Sequence, residues 1–361
     1  MELLEIDGSY GEGGGQILRT AVAFSIILGR PVRVTKVRAG RNNPGLRPQH
    51  ASALKILRDV CSGRLEGGEV GSTTITFYPG VVEALSMKVD LGTAASITLV
   101  LQAVVPAASL SGSSLDLELV GGTDVPWSPT FDYFANVVLP ALKLIGVRCR
   151  AEASKRGYYP NGGGAVKASV EPCEEVAPLR LAERRSNPPA SVVVVSRCGR
   201  LPAQVAERQS HAAKSYLRGQ GIDVESATAS QVLSDSPGSS VLISTTRADC
   251  FLGSDSIGAL GKSAESVGRE AAKDFAAEYQ SGACVDVHLS DTIAPFLSLA
   301  ATDSRILLPH VSEHLKTSLH VASLFTGCSY DFASQGKAWA ASIRPSSTSS
   351  NKASRGRAYR L

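Results

Sequence analysis

The chain has 361 residues, 43% hydrophobic and 19% charged, with a formal net charge of +4. Those values describe a globular protein with a buried core, long enough for two domains at about 150 residues each, and the small positive charge tilts it toward anionic partners without deciding the matter. The apolar runs at residues 21–28 and 99–108 fall short of the ~20 residues a membrane helix needs, and the first residues lack the basic start and apolar run of a secretory signal. A soluble cytoplasmic protein without a membrane partner is expected.

The seven cysteines are scattered without a C-x-x-C pair, so their spacing writes neither a zinc site nor a disulfide framework.

In chain order, residues 14–28 read as a helix closed by Gly29-Arg30-Pro31, and residues 32–37 as a β-branched, alternating strand. A helix over 46–61 ends at Gly63 and is followed by a strand over 73–78. Two more helices span 94–110 and 130–145, the second leading into a strand over 146–153. The layout is α/β, with helices covering one face of small sheets. Glycine triplets at 13–15 and 162–164 hint at a repeated unit.

Between 172 and 190 the composition shifts to Pro, Glu, Arg and Asn, marking a junction. Beyond it come a strand over 191–197, a helix over 202–219, a strand over 241–246 and a helix over 262–280, which read as an inserted, smaller α/β domain. The first pattern resumes near residue 283 with a helix over 288–301, a strand over 304–308 and a helix over 312–325. The expected division is therefore 1–184 and 281–344 for the large domain and 185–280 for the insert. Residues 345–361 are Ser-rich and carry Lys352, Arg355, Arg357 and Arg360, so they read as a disordered basic tail.

Three stretches carry chemistry. The loop from Asp7 to Gln16 is half glycine and delivers a strand into a helix, which lets backbone N–H groups approach an anion. It matches neither the P-loop nor the dinucleotide fingerprint, and a tight turn needing positive φ explains the glycines equally well. Arg19 lies near the first turns of that helix, within reach of the same anion. Arg38, Arg41 and Arg47 surround a Pro-Gly turn that leads into Gln49 and His50. Such a cluster suits bidentate phosphate recognition, and a solvated basic loop is the alternative.

Most histidines are structural, but His314 has an unusual position. Ser312 is a good N-cap, which puts Glu313 and His314 in a helix's first turn. The partial positive charge there disfavours imidazolium and attracts phosphate oxygens. His320, about a turn and two-thirds further on, is expected to face the core.

Read together, these stretches resemble the RNA 3'-terminal phosphate cyclase family. The matching residues are Glu12 to Arg19, Arg38 to Arg41, Pro44 to Leu46, Gln49-His50, Leu99 to Gln102, Gly121 to Asp124, Gly157 to Gly164 and His314 to Thr317, in family order from residue 5 to about 330. The resemblance implies a large domain of three repeated units, each a small sheet with two helices, and a smaller α/β domain inserted before the last. It further implies ATP as the nucleotide, a divalent metal (Mg2+ or Mn2+), an RNA 3'-phosphate end as partner and His314 as the residue that becomes adenylylated. Arg19, Arg38, Arg41, Gln49 and His50 would then hold the substrate phosphate, Glu12 the metal, and Gln102, His288, Asp291, Pro129 and Phe131 the nucleotide. The chain departs from the family pattern at Glu313 and Ser318, which flank the histidine motif, and at Thr292-Ile293.

Two other functions compete. One is a non-catalytic relative acting in ribosomal RNA processing, a branch that lacks the histidine present here. The other is a carboxyvinyl transferase of similar repeated architecture, which leaves His314 unexplained. A homodimer is left open.

Overall fold

The computed structural model describes residues 2–11, 14–92, 94–184, 191–247 and 249–346. Its frame is three four-stranded mixed sheets built alike. The first holds β1 (Leu4–Asp7), β2 (Val32–Thr35), β3 (Arg64–Glu66) and β4 (Ile75–Tyr78), in the order β1-β2-β4-β3. The second holds β5 (Leu85–Asp90), β6 (Leu115–Gly121), β7 (Cys149–Lys155) and β8 (Gly164–Val170), in the order β5-β6-β8-β7. The third begins with β9 (Arg180–Leu181) and is completed after a long excursion of the chain. In the first two sheets the opening pair is parallel and the remaining pairs are antiparallel.

Parallel neighbours need a crossover helix. In the first unit it is α1 (Gly15–Leu28), and α2 (Pro48–Val60) follows β2. In the second it is α3 (Ile97–Leu110), capped by the Ser96 hydroxyl, which accepts from the Leu99 N–H at 3.2 Å. The stretch after β6 is helical from Phe131 to Leu144, as α4 (Phe131–Tyr133), a π-helical segment (Phe134–Val138) and α5 (Leu139–Leu144). The helix expected over 130–145 is thus present but carries a π-helical middle.

The excursion is a four-stranded sheet of different order. β10 (Val192–Gly199), β11 (Val224–Gln231), β12 (Gly238–Arg247) and β13 (Cys250–Ile257) run β11-β10-β12-β13. α6 (Gln204–Gly219) and α7 (Ala264–Ser281) enclose a core of their own with this sheet, including Val194, Leu217, Ile243, Leu252 and Phe275. Leu242 and Phe251 alternate onto the opposite face and join the main core. Strand β11 escapes a periodicity reading because its sequence, VESATASQ, has few apolar residues to alternate, and β13 because the apolar residues of CFLGSDSI bunch at its start.

The chain then returns through α8 (Val287–Ile293), a 3-10 segment (Ala294–Leu299), β14 (Ser304–Leu308), α9 (Glu313–Thr326), β15 (Ser329–Gln335) and β16 (Ala338–Arg344). β9 and β14 pair in parallel and the order β9-β14-β16-β15 repeats that of the first two sheets. The single helix expected over 288–301 is instead two segments, because Pro295 has no N–H to continue the α-helical ladder. The strand expected over 32–37 stops at Thr35, where Lys36 and Arg38 take positive φ values of 49° and 54°. Among the described residues no helix is long and apolar enough to cross a membrane. Most of the expected tail, residues 347–361, lies outside the described residues.

Candidate active site

The start of α9 is fixed by one hydroxyl. Ser312 Oγ accepts from the Leu315 N–H at 2.9 Å, capping the helix, and donates to Asp291 Oδ1 on α8 at 2.5 Å. His314 therefore sits in the first turn, partly exposed, while Leu315, Thr317, Ser318 and Leu319 are buried. Its neighbour Glu313 is drawn aside by Lys316 at 2.6 Å.

The glycine turn after β1 packs against this same helix turn. Gly11 has φ +62°, and a Cβ there would fall 2.2 Å from Thr317 Oγ1, so both conformation and space require glycine. Gln16, in the first turn of α1, donates through Nε2 to Ser318 Oγ at 2.9 Å and to the Asp291 carbonyl at 3.3 Å. Tyr10 stacks on His320 at 3.9 Å between ring centroids. His320 is thus half-buried under an aromatic ring rather than in the core, as its position alone suggested. The first turns of α1 and α9 and the end of α8 form one unit.

On the other side of α1 the cations gather. A Cβ on Gly15 would lie 2.4 Å from His50 Nε2 and 3.2 Å from Arg19 Nη1, and one on Gly14 would lie 3.9 Å from Arg41 Nη2. Glycine at these two positions admits all three groups to the helix N-terminus, where unpaired backbone N–H groups favour an anion. His50 Nδ1 accepts from the Arg47 N–H at 3.2 Å, which leaves Nε2 as the protonated nitrogen, facing Gly15. Burial, reinforced by the charges of Arg19, Arg38 and Arg47, draws the His50 pKa down to about 4. Arg19 keeps some exposed surface, yet enough protein surrounds it that desolvation lowers its pKa to about 10. Its guanidinium donates to Gln16 Oε1 at 3.3 Å, and among the described residues no carboxylate forms an ion pair with it.

Arg38 serves the loop as well as the cluster. Its Nη1 donates to the Asn43 and Gly45 carbonyls at 2.9 and 3.1 Å, holding the Pro-Gly turn in shape. Gln49 is exposed on the first turn of α2. Glu12, the expected metal carboxylate, lies outside the described residues.

The residues expected around a nucleotide fall into two groups. Gln102 from α3 and Asp291 from α8 line one narrow cleft with Gln16, Arg19, Thr292 and Phe296. Pro129, Phe131 and His288 belong to a neighbouring wall. The Pro129 carbonyl accepts from Thr98 Oγ1 at 2.7 Å, and the Thr130 N–H donates to Asp255 Oδ2 at 2.6 Å. Phe131 is buried beneath the Arg156 guanidinium, 4.9 Å from its ring centroid, while His288 is exposed in the first turn of α8.

Three positioning residues in this wall, Asp286, Asp132 and Arg156, escape a sequence reading. Asp286 caps α8 by accepting from the Leu289 N–H at 2.8 Å, and it also accepts from Tyr133 Oη at 2.6 Å and the Gly253 N–H at 2.9 Å. An Asp two residues before His288 is itself an N-cap signal, so this helix start could have been found. Arg156 and its partner Asp132 had no such local signal, and Asp124 was legible only as the end of the Gly121 to Asp124 motif. Arg156 Nη1 lies 3.2 Å from Asp124 and Nη2 2.6 Å from Asp132, all three side chains buried.

A family profile described as RNA 3'-terminal phosphate cyclase matches residues 10–332. The chain belongs to the RNA 3'-terminal phosphate cyclase family. Relatives named RNA 3'-terminal phosphate cyclase include one from Thermococcus gammatolerans, 44% identical over 92% of this chain and 94% of its own length. Another, from Methanopyrus kandleri, is 41% identical over 96% of this chain and 99% of its own. A third, from Hyperthermus butylicus, is 40% identical over 93% and 95%. The match thus takes in the glycine turn, the arginine cluster, the cleft and the first turn of α9 in one family frame.

The family resemblance carries the expectation of a divalent metal. Among the described residues no group of three or more His, Cys, Asp or Glu side chains is placed to hold an ion. The described residues therefore do not form a protein-built metal cage.

Proposed function

We propose that this chain is an ATP-dependent RNA 3'-terminal phosphate cyclase with His314 as its nucleophile. The observation that supports the reading most directly is the union of two helix starts: Gln16 bonds Ser318, and Gly11 closes on Thr317, so the turn that carries His314 is fixed against the turn around which Arg19, Arg41 and His50 gather. A nucleophile and a phosphate-binding cluster then share one rigid support.

In this reading a ring nitrogen of His314 attacks the α-phosphorus of ATP. The bond to the β-phosphate oxygen breaks, diphosphate leaves, and the imidazole loses its proton to give a phosphoramidate. An oxygen of the RNA 3'-phosphate next attacks the adenylyl phosphorus, and the N–P bond breaks as the histidine recovers a proton. The neighbouring 2'-OH then attacks the 3'-phosphorus, AMP leaves with the bridging oxygen, and the hydroxyl proton passes to solvent. The net change is RNA 3'-phosphate and ATP to 2',3'-cyclic phosphate, AMP and diphosphate.

Each transfer moves charge between phosphoryl oxygens, which is the task assigned to Arg19, Arg38, Arg41, Gln49 and His50. Gln102, Asp291, Pro129, Phe131 and His288 are assigned to the nucleotide. Glu12 is the carboxylate assigned to a divalent cation, which would arrive on the triphosphate and supply charge neutralisation there.

The test is to mix the protein with α-labelled ATP and magnesium. Label should become covalently attached in an acid-labile, base-stable form, and His314→Ala should abolish it while leaving the circular dichroism spectrum intact. Labelling that persists in His314→Ala would remove the nucleophile assignment. A 2'-deoxy 3'-phosphate end should stop at adenylylated nucleic acid, because no adjacent hydroxyl can attack.

A further inference from the structure

Residues 124–132 form a loop tied down at every point except its tip. At its base the buried Arg156 guanidinium holds both ends, through Asp124 at 3.2 Å and Asp132 at 2.6 Å. Within it the Ser128 hydroxyl donates to the Val125 carbonyl at 2.9 Å, Thr98 Oγ1 holds the Pro129 carbonyl, and Asp255 holds the Thr130 N–H. Pro126 and Pro129 restrict the backbone on either side of the tip.

At that tip stands Trp127. Its side chain is the exception to the packing around it: the residue is 97% exposed, while Asp124, Val125, Thr130 and Asp132 are buried. Its backbone has φ +61°, a conformation that bulky L-residues avoid. A rigid, strained loop therefore presents the largest apolar side chain to water, two residues before Pro129 at the rim of the candidate site. Strain kept in a fixed loop beside a site points to function, and an indole face in water has no packing role to explain it.

We infer that Trp127 is a stacking platform for a nucleobase at the 3' end of the RNA. This rests on the proposed function, which makes RNA the ligand that must approach from solvent. The arginine and glycine cluster reads phosphate, and the terminal base needs a support of its own. An indole suits any of the four bases, since each offers a π-face, so the platform orders the end without selecting its sequence. Trp127 is not among the residues lining the cleft shared by Gln102 and Asp291, and its exposed indole is open to a ligand that arrives from solvent, as the RNA end must.

The chain has only two tryptophans, Trp127 and Trp339. A Trp339→Phe background makes Trp127 the sole reporter for fluorescence. Titration with a short oligoribonucleotide ending in a 3'-phosphate, without ATP, should quench the emission, and the same oligonucleotide with abasic terminal positions should quench it far less. In the wild-type background, Trp127→Ala should weaken binding, read by fluorescence anisotropy of a labelled oligonucleotide, roughly 5- to 100-fold. The loss should appear in KM for RNA rather than in kcat, and Trp127→Phe should recover most of it.

Equal quenching by the abasic oligonucleotide, unchanged affinity in Trp127→Ala, or quenching by ATP alone would overturn the platform. Formation of cyclic ends is measured on the same samples. Cyclic ends with unaltered affinity in Trp127→Ala would sink the platform and leave the function standing. No cyclic ends from any sample, with the quench and the affinity loss intact, would sink the function and leave the platform.

Discussion

Arg156 and Arg19 are both drawn away from water, but into opposite electrostatic settings. Burial opposes the charge on Arg156, yet Asp124 and Asp132 outweigh it, and its pKa is raised. Arg19 meets desolvation with no compensating carboxylate among the described residues, and its pKa falls to about 10. Around Arg156 the charges cancel within the protein, since Arg197 lies 3.5 Å from the second oxygen of Asp132, so the network can serve as a fixed part of the frame. Around Arg19 burial alone lowers the pKa, and the same cation helps to hold the neighbouring His50 neutral. A desolvated cation so placed costs stability, and that cost is relieved when an anion arrives. The difference separates a structural ion network from a cation left without a carboxylate partner among the described residues, which is what the proposed phosphate site requires.

The sharpest way to break the comparison is to remove Arg156. Arg156→Ala would leave Asp124 buried without a cation and Asp132 with only Arg197, 3.5 Å away, and breaking a buried pair in this way costs about 3–5 kcal/mol. Denaturant unfolding should show the midpoint fall accordingly. A loss below about 1 kcal/mol would mean that solvent reaches the two carboxylates and that the network does not fix the loop.

Arg19→Ala should do the reverse. Loss of a charge-assisted phosphate contact costs about 1.5–3 kcal/mol, so cyclisation should drop by roughly one to two powers of ten. Folding stability should hold or rise, because the desolvation of an unpaired cation is relieved. Arg41→Ala should behave similarly, whereas Arg38→Ala should also loosen the loop whose carbonyls it binds. Near-normal cyclisation in Arg19→Ala and Arg41→Ala would return the cluster to a solvated basic surface.

His50 sharpens the same contrast through pH. Its folded pKa is about 4 against an ordinary value of 6.5, so the unfolded chain binds the proton first as pH falls. The stability associated with the neutral ring is full above pH 6.5 and is lost between there and pH 4. By about pH 5 the loss is about 2 kcal/mol, at about 1.36 kcal/mol per pH unit. His50→Gln should flatten that part of the stability curve. Inorganic phosphate should raise the His50 titration midpoint, followed by NMR, and no movement at saturating phosphate would place the anion elsewhere.

What is legible in the sequence follows the range of the interactions. The cap of α9 is local, so Ser312 alone is enough to place His314 in a first turn. Arg19 and the pair Arg41 and His50 are legible as two separate motifs, and only the family resemblance joins them, because the glycines that bring them together act across chain separations that no local pattern spans. The Arg156 network joins side chains 24 and 32 positions apart, and no periodicity announces such a pairing. Strands β11 and β13, neither of which alternates apolar and polar residues along its length, escape for a related reason. Their pairing partners supply the order that their own composition does not. The break at Pro295 is different, because it is written locally: an apolar run continues past it, but the missing N–H outweighs that run.

The smallest effect tests whether His314 is held as firmly as the frame suggests. Ser312→Ala removes the acceptor for the Leu315 N–H and the donor to Asp291 in one change. Losing an N-cap typically costs about 1 kcal/mol, within a range of about 0.5–2. Ser312→Thr keeps both groups and should be close to neutral, so the pair separates the hydroxyl from mere volume. Because the same hydroxyl joins α8 to α9, covalent labelling by α-labelled ATP should slow in Ser312→Ala by more than the stability change alone predicts, while Ser312→Thr labels normally. Equal labelling in both variants would show that the Asp291 contact contributes nothing to positioning His314, and that the Gln16 and Gly11 contacts are sufficient to hold the helix start.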